Sequence, residues 1–160
     1  MEHRYDLYRQ FIVDMHTYAN NSGRMLVVWE GFAPAAGQTG RSAHPPSAVE
    51  IPTEGLIVTP FDCFYYPPPQ LAADGYKILN AAWTPLYIAG GSGQSPELIY
   101  KWNPWLLGEF PGHVSWWKIP KESRQQIIGV KMAVWSTTAN ETLCTYSDHT
   151  TLSSYPCFYF

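Results

Sequence analysis

The chain has 160 residues, a net charge of −3 and more aromatic residues (16%) than charged ones (14%), and its length suits one domain of ordinary size. Its few basic residues form no cluster of the kind that binds DNA or RNA, and no apolar run reaches the roughly 18 residues needed to cross a bilayer. We therefore expect neither nucleic acid nor a membrane among its partners, and the charged start MEHRYDLYRQ, unlike the apolar core of a secretory signal, leaves the compartment unassigned.

The first predicted element is an amphipathic helix. Apolar residues recur at steps of three and four, and Gly23 follows in the position that commonly ends a helix. The stripe expected to be buried consists of Tyr5, Tyr8, Phe11, Ile12, Met15, Tyr18 and Ala19.

Two buried strands are predicted next, from Met25 to Trp29 and from Leu56 to Phe61. The long loop between them is rich in Gly, Pro, Ala and Ser, and Pro60 marks the end of the second strand because proline cannot donate to a ladder. A short helix closed by Gly75 follows. The segment YKILNAAWTPLYI then returns as strand and extended chain.

The rest of the chain repeats this order of elements. Ser95 and Pro96 form a good pair of N-cap and first helical residue, so we expect a helix that ends near Trp102. After a coil rich in Pro and Trp, a short helix is predicted from Pro120 and a strand from 128 to 135. The alternation of helices and strands predicts a parallel sheet with crossover helices.

Aromatic residues stand at the ends of the four predicted strands, namely Trp29, Phe61, Tyr87 and Trp135. Functional groups of parallel α/β folds lie at the carboxyl ends of the strands. Tryptophan suits a site that stacks on a ligand with apolar and polar parts, such as a sugar. The sequence therefore predicts a pocket at these ends, with simple packing of the rings as the alternative.

Four segments, in order and spacing, resemble the second half of the catalytic barrel of glycoside hydrolase family 20, the β-N-acetylhexosaminidases. They are VWEGF, GLIVTPF, GYKILNAAWTPLYI and IIGVKMAVW, and the resemblance covers about residues 5 to 136. It implies an α/β fold that is a partial (β/α)8 TIM barrel, about strands 5 to 8. Residues 1–141 would form this half of the catalytic domain, and residues 142–160 a divergent tail of unknown role.

The resemblance also implies roles for individual residues. Tyr87 takes the place of the tyrosine that holds the acetamido carbonyl oxygen, and it is the catalytic candidate. The substrate-binding candidates are Trp29, Glu30, Phe61, Asp62, Trp102 and Trp135. Two alternatives stay open: Glu30 and Asp62 could be solvated loop charges or helix caps, and Trp102, like Trp105, could pack in the core.

Family 20 enzymes use substrate assistance, in which the 2-acetamido oxygen attacks the anomeric carbon. An adjacent Asp-Glu pair orients the acetamido group and protonates the leaving oxygen, and the resemblance places this pair before the start of the chain. Two further family acids are replaced here by Ala89 and Thr137. The implied function is part of a hydrolase acting on terminal β-linked N-acetylhexosamine, inactive as this chain alone. A non-catalytic carbohydrate-binding remnant and a structural α/β domain are the alternatives.

The partners expected from this resemblance are glycans that contain N-acetylhexosamine. A half barrel leaves two open parallel edges, which proteins normally cover or close, so the missing half barrel or a second copy is expected to complete it. The family is mostly secreted, periplasmic or lysosomal. No metal or cofactor is predicted, because the three cysteines and five histidines lack the spacing of a metal motif, and we interpret Cys63, Cys144 and Cys157 as ordinary thiols.

Overall fold

The computed structural model describes residues 3–32, 49–63, 66–89, 95–108 and 116–135. In these ranges the chain forms helices and strands in the following order: α1 (His3–Asn21), β1 (Leu26–Trp29), β2 (Leu56–Thr59), α2 (Pro68–Ala73), β3 (Lys77–Asn80), α3 (Trp83–Leu86), β4 (Tyr87–Ala89), α4 (Pro96–Lys101), β5 (Leu106–Gly108), β6 (Trp116–Lys118), a 3₁₀ helix (Lys121–Gln126), β7 (Ile127–Val130) and β8 (Ala133–Trp135).

The main sheet has four parallel strands in the order β1, β2, β3, β7. β4 and β8 follow β3 and β7 along the chain, and they pair with each other, again in parallel. β5 and β6 form a separate antiparallel hairpin. The predicted α/β class and parallel sheet are therefore confirmed.

The core lies between this sheet and the helices α1 and α2. Leu56, Val58 and Ile78 are fully buried in the sheet, and they share one cluster with Ile12 of α1 and Leu71 of α2. Side chains of a strand alternate between its two faces. The helices therefore cover one face of the sheet. Its strands consist of mainly apolar runs such as LIVT in β2.

The helix α1 and the burial of Ile12 are confirmed, but most of the predicted buried stripe is exposed. Phe11 and Tyr18 are 57% and 72% exposed, whereas Arg9 and His16 are buried beside Ile12. The two polar side chains are buried because the segment 49–55 supplies acceptors: Arg9 Nε donates to the carbonyl of Val49 at 2.6 Å, and His16 Nε2 donates to that of Glu54 at 2.7 Å. The side chain of Tyr5 lies outside the described residues.

The predicted helix boundaries are confirmed. Gly23 follows α1 with a φ of +66°, and Gly75 follows α2 with a φ of +93°, a left-handed conformation that favours glycine at helix ends. Ser95 caps α4, since its hydroxyl accepts a hydrogen bond from the Leu98 amide at 3.1 Å.

Three local predictions differ from the structure. The short helix α3 interrupts the predicted extended segment that ends at Ile88, and the predicted strand 128–135 is divided into β7 and β8. The hairpin of β5 and β6 lies where coil was expected. Its strands have three residues each, too few for a periodic pattern to be recognised.

Candidate functional site

The candidate site lies at the carboxyl ends of β1, β2 and β3. Trp29 is the last residue of β1 and stands opposite Thr59 in the register. Beyond the strands, backbone hydrogen bonds continue across the sheet: the amide of Glu30 donates to Thr59 O at 3.1 Å, and that of Trp83 donates to Phe61 O at 2.6 Å. These bonds fix the loops that carry the aromatic side chains.

Three of the predicted aromatic residues come together at these strand ends. The Trp29 and Phe61 ring centres are 5.5 Å apart with the planes nearly perpendicular, and Phe61 lies 5.5 Å from Tyr87. Trp29 and Tyr87 are 6.5 Å apart, also edge to face. Trp83, which the sequence analysis did not select, stacks on Tyr87 at 4.4 Å. We call these four residues the aromatic cluster.

A cation lies against this cluster. Lys131, directly after β7, places its Nζ 4.2 Å from the centre of the Trp29 ring, within the range of a cation–π interaction. Its backbone amide donates to Asn80 O at 2.7 Å, which ties the end of β7 to the end of β3. Among the described residues, no carboxylate lies within ion-pair distance of Lys131. This contact could not be predicted from the sequence, because a single lysine after a strand is common.

Asn80 stabilises the backbone next to the aromatic cluster. It is fully buried, its Nδ2 donates to Pro104 O at 2.8 Å, and its Oδ1 accepts from the Ala82 amide at 3.0 Å. The second bond turns the chain immediately after β3 and leads it into α3, at whose end Tyr87 lies. Asn80 is therefore a structural residue that positions Trp83 and Tyr87. In the sequence, its position at the end of a predicted strand was the one indication of this role.

The two candidate carboxylates differ in their access to solvent. Glu30 is only 4% exposed, and Asp62 is half-buried. Both residues take part in interactions within the protein. A buried carboxylate beside a strand end can act as an acid or base, but burial of Glu30 is equally consistent with a structural role.

The remaining predicted site residues are not brought into the cluster. Trp102 donates from Nε1 to Leu106 O at 2.9 Å, which anchors the ring beside β5, and within the described ranges it makes no ring contact with Trp29, Phe61 or Tyr87. Trp105 carries the Arg124 guanidinium 4.5 Å above its ring. Trp135 ends β8, but its side chain, like that of Ala89 and all of Thr137, lies outside the described residues.

Among the described residues, no group of three His, Cys, Asp or Glu side chains is placed so that it could hold a metal ion. Cys63 is a buried thiol, whereas Cys144 and Cys157 lie outside the described residues. Of the helices in the described ranges, none combines the length and apolar character that a membrane crossing requires.

Chemically, the aromatic cluster offers apolar ring surface and one phenol, Lys131 adds an ammonium group, and Glu30 and Asp62 are carboxylates on the adjoining loops. Such a surface suits a ligand whose faces are apolar and whose rim is polar. Comparison of the chain with family models, with curated proteins and with solved structures finds no match in any of the three.

Proposed function

We propose that the chain is a partial (β/α)8 barrel whose aromatic cluster binds a terminal β-linked N-acetylhexosamine, as the sugar-holding part of a glycoside hydrolase. The order of the strands supports the barrel. The four parallel strands follow one another in the sheet as they do in the chain, as in a barrel, whereas a doubly wound sheet reverses its order at a switch point.

One observation carries the proposal for the sugar. Three aromatic side chains, Trp29 at the end of β1, Phe61 after β2 and Tyr87 at the start of β4, lie within 5.5–6.5 Å of one another. A pyranose presents C–H groups on its faces, and an acetamido group adds a methyl that aromatic rings can enclose. In this proposal the Tyr87 phenol donates a hydrogen bond to the acetamido carbonyl oxygen.

Holding the acetamido group matters because, in substrate-assisted hydrolysis, it is itself the nucleophile. Its oxygen must be held in line with the anomeric carbon for the attack to be efficient. Tyr87 is suited to this role because it is fixed on one side by the stacked Trp83 ring, 4.4 Å away. The chain contains no adjacent Asp-Glu pair, so the acid that protonates the leaving oxygen is outside this proposal.

A structural role is the second candidate, and two contacts favour it. Trp83 already covers one face of Tyr87, and Lys131 covers one face of Trp29. If every ring face is satisfied by protein, the cluster stabilises the loops at the strand ends and binds nothing.

Calorimetric titration of the folded chain with N-acetylglucosamine and with glucose separates the two candidates. We expect weak binding of N-acetylglucosamine and at least about tenfold weaker binding of glucose, because a site built around an amide rejects a ligand that lacks it. Trp29→Ala should abolish the binding. The matched control is Trp105→Ala, which removes an indole that contacts Arg124 outside the cluster and should leave it unchanged. No heat from either sugar would support the structural role, whereas equal binding of glucose would contradict a site built around the acetamido group.

A further inference from the structure

Two side chains at the carboxyl ends of the main sheet meet across its width. Lys131 follows β7 and Trp29 ends β1, and β1 and β7 are the outer strands of the sheet. The Lys131 Nζ nevertheless lies 4.2 Å from the centre of the Trp29 ring. Neighbouring strands are about 4.8 Å apart, so strands three places apart are separated by about 14 Å. The two side chains therefore meet above the ends of β2 and β3.

Lys131 lies on the face of the sheet that is turned away from the helices. Ile78 of β3 is in the core, so alternation places Leu79 on the opposite face. Gly129 of β7 stands opposite Leu79 in the register, and a Cβ added at Gly129 would lie 3.2 Å from Leu79 Cδ1. Lys131 follows Gly129 by two residues and continues on its face.

A buried hydroxyl group lies beneath the contact of Lys131 with Trp29. Thr59 of β2 stands opposite Trp29 in the register. In each of these two strands the preceding residue packs in the core cluster, so alternation turns the Trp29 and Thr59 side chains to the face that carries Lys131. Thr59 is only 1% exposed. Among the described residues, no group lies within hydrogen-bond distance of its Oγ1.

Lys131 and Thr59 thus retain unused hydrogen-bonding capacity. The Lys131 side chain is half-buried, and no carboxylate in the described ranges lies within ion-pair distance of its ammonium group. A buried polar group without a partner costs free energy, and a charged group removed from water costs more. An ammonium group has three donors and a hydroxyl has one. Together they are suited to the oxygens of an anion.

We propose that the ligand of the aromatic cluster carries an anionic group, namely a carboxylate, phosphate or sulfate, which the Lys131 ammonium group and the Thr59 hydroxyl bind. The substrate is then an acidic derivative of an N-acetylhexosamine, so this inference rests on the proposed function. When the sugar stacks on Trp29, the ammonium group leaves the ring and pairs with the anionic group. An ion pair thus replaces the cation–π contact, and the movement uncovers the Thr59 hydroxyl.

The two carboxylates on the adjoining loops do not oppose this arrangement. The Glu30 amide continues the ladder by donating to Thr59 O at 3.1 Å, so alternation directs the Glu30 side chain to the face opposite to that of Trp29. Neither Glu30 nor Asp62 lies within ion-pair distance of Lys131. A neutral sugar, in contrast, would displace the ammonium group from the ring and offer it no charge in return.

Calorimetric titration of the full chain with N-acetylglucosamine and two acidic derivatives tests the proposal. The derivatives are N-acetylglucosamine 6-phosphate and N-acetylmuramic acid, whose anionic groups are attached at different positions of the ring. In low salt we expect at least one of them to bind at least about tenfold more tightly than N-acetylglucosamine, because hydrogen bonds to charged groups are strong. In 1 M salt, where the Debye length is about 3 Å, this preference should decrease.

The sugars also separate this inference from the proposed function. If N-acetylglucosamine binds and neither acidic derivative binds more tightly, the anion site is overturned and the proposed function stands. If glucose 6-phosphate binds as tightly as N-acetylglucosamine 6-phosphate, and more tightly than glucose, the anion site stands and the acetamido site is overturned. If none of the sugars binds, both are overturned.

Variants assign the two contacts. Lys131→Ala should remove the preference for the acidic derivative, whereas Lys131→Arg, which keeps the charge, and Lys118→Ala, at an exposed position on β6, should retain it. Thr59→Val has nearly the same volume and should weaken binding of the acidic derivative about fivefold without weakening that of N-acetylglucosamine. It should not lower the free energy of unfolding, because it removes a buried hydroxyl that has no partner.

Two results with the variants would overturn the assigned contacts. A preference that persists in Lys131→Ala would remove the ammonium group from the anion site, and unchanged binding of the acidic derivative by Thr59→Val would remove the hydroxyl. The comparison of acidic and neutral sugars on the wild-type chain decides whether an anion is recognised even if a variant does not fold.

Discussion

The ammonium group of Lys131 lies 4.2 Å from the centre of the Trp29 ring, so a cation covers one face of the indole on which a sugar would stack. A cation–π contact of this kind is worth about 0.5–2 kcal/mol. A ligand that stacks on the same face must displace the lysine at that cost. Lys131 therefore competes with a neutral sugar.

This competition predicts that Lys131→Ala strengthens the binding of N-acetylglucosamine. A cost of about 0.5–2 kcal/mol corresponds to roughly a 2- to 30-fold gain in affinity, which calorimetry of the folded variant would measure. Lys118→Ala is the control, because Lys118 is exposed on β6 and has no contact with Trp29. Weaker binding after Lys131→Ala would mean that the ammonium group contacts the sugar, contrary to the prediction.

Two glycines with positive φ should differ in their tolerance of alanine. At Gly23 (φ +66°) an added Cβ meets nothing within 4 Å, whereas at Gly55 (φ +73°) it lies 3.0 Å from His16 Nε2. The backbone strain is similar, about 1–2 kcal/mol for each. His16 is buried and held by its hydrogen bond to Glu54, so it cannot move freely out of the way.

We therefore expect Gly55→Ala to destabilise the fold by about 1–3 kcal/mol more than Gly23→Ala does. The free energy of unfolding in urea is measured for both variants and the two values are compared. The backbone strain, which both variants share, cancels in this difference. Equal losses would show that the His16 ring adapts without cost. In that case, the contact between segment 49–55 and α1 is looser than the structure indicates.

A buried tyrosine predicts a loss of stability at high pH. Burial raises the pKa of Tyr76 to about 12, compared with about 10 in an unfolded chain. Between these values the folded protein retains a proton that the unfolded chain has lost, so rising pH favours unfolding. The stabilisation is complete below pH 10 and should decline by up to about 2.5 kcal/mol as the pH approaches 12.

The Tyr76→Phe variant tests this origin of the pH dependence. It loses the hydrogen bond from the phenol to Ile51 O, 3.1 Å long, and should be about 1 kcal/mol less stable at pH 8. Its unfolding free energy should then fall less steeply above pH 10 than that of the wild type. Some slope will remain, because burial also raises the pKa of Tyr66. Tyr100→Phe, at a position 91% exposed, should retain the wild-type slope.

The strands and helix ends of this fold were predictable because their signals are local. A run such as LIVT has few alternatives to a buried strand, and Gly23 or Ser95 acts on its immediate neighbours. The buried face of α1 was not predictable. Arg9 can be buried because it donates a hydrogen bond to the carbonyl of Val49, which lies 40 residues away in the sequence. A periodic pattern of apolar residues does not reveal such a distant partner.

The candidate site likewise contains residues that could be predicted from the sequence and residues that could not. Trp29 and Phe61 could be selected because they lie at or just beyond the carboxyl ends of predicted buried strands, where such ends converge. Lys131 could not, because its contact with Trp29 joins residues that are far apart in the sequence. Trp83 could not, because its stacking on Tyr87 depends on the short helix α3, where extended chain was predicted. Trp102 was selected for its residue type alone, and in the structure its indole is engaged with the backbone of Leu106.

The last prediction concerns catalysis by this chain alone. Substrate assistance requires one carboxylate to orient the acetamido N–H and a second to protonate the leaving oxygen, and the sequence contains no adjacent Asp-Glu pair. The carboxylates nearest to the cluster in sequence are Glu30, which is 4% exposed, and Asp62. We expect no hydrolysis above the buffer rate for chitobiose, whose poor leaving group needs a general acid, or for 4-nitrophenyl N-acetyl-β-glucosaminide.

The two substrates distinguish loss of the general acid from loss of the carboxylate that orients the acetamido group, because hydrolysis of the aryl glycoside depends little on the acid. Turnover of the aryl substrate alone would show that the site still orients the acetamido group, and turnover of both that is lost in Glu30→Gln or Asp62→Asn would identify that carboxylate as the acid.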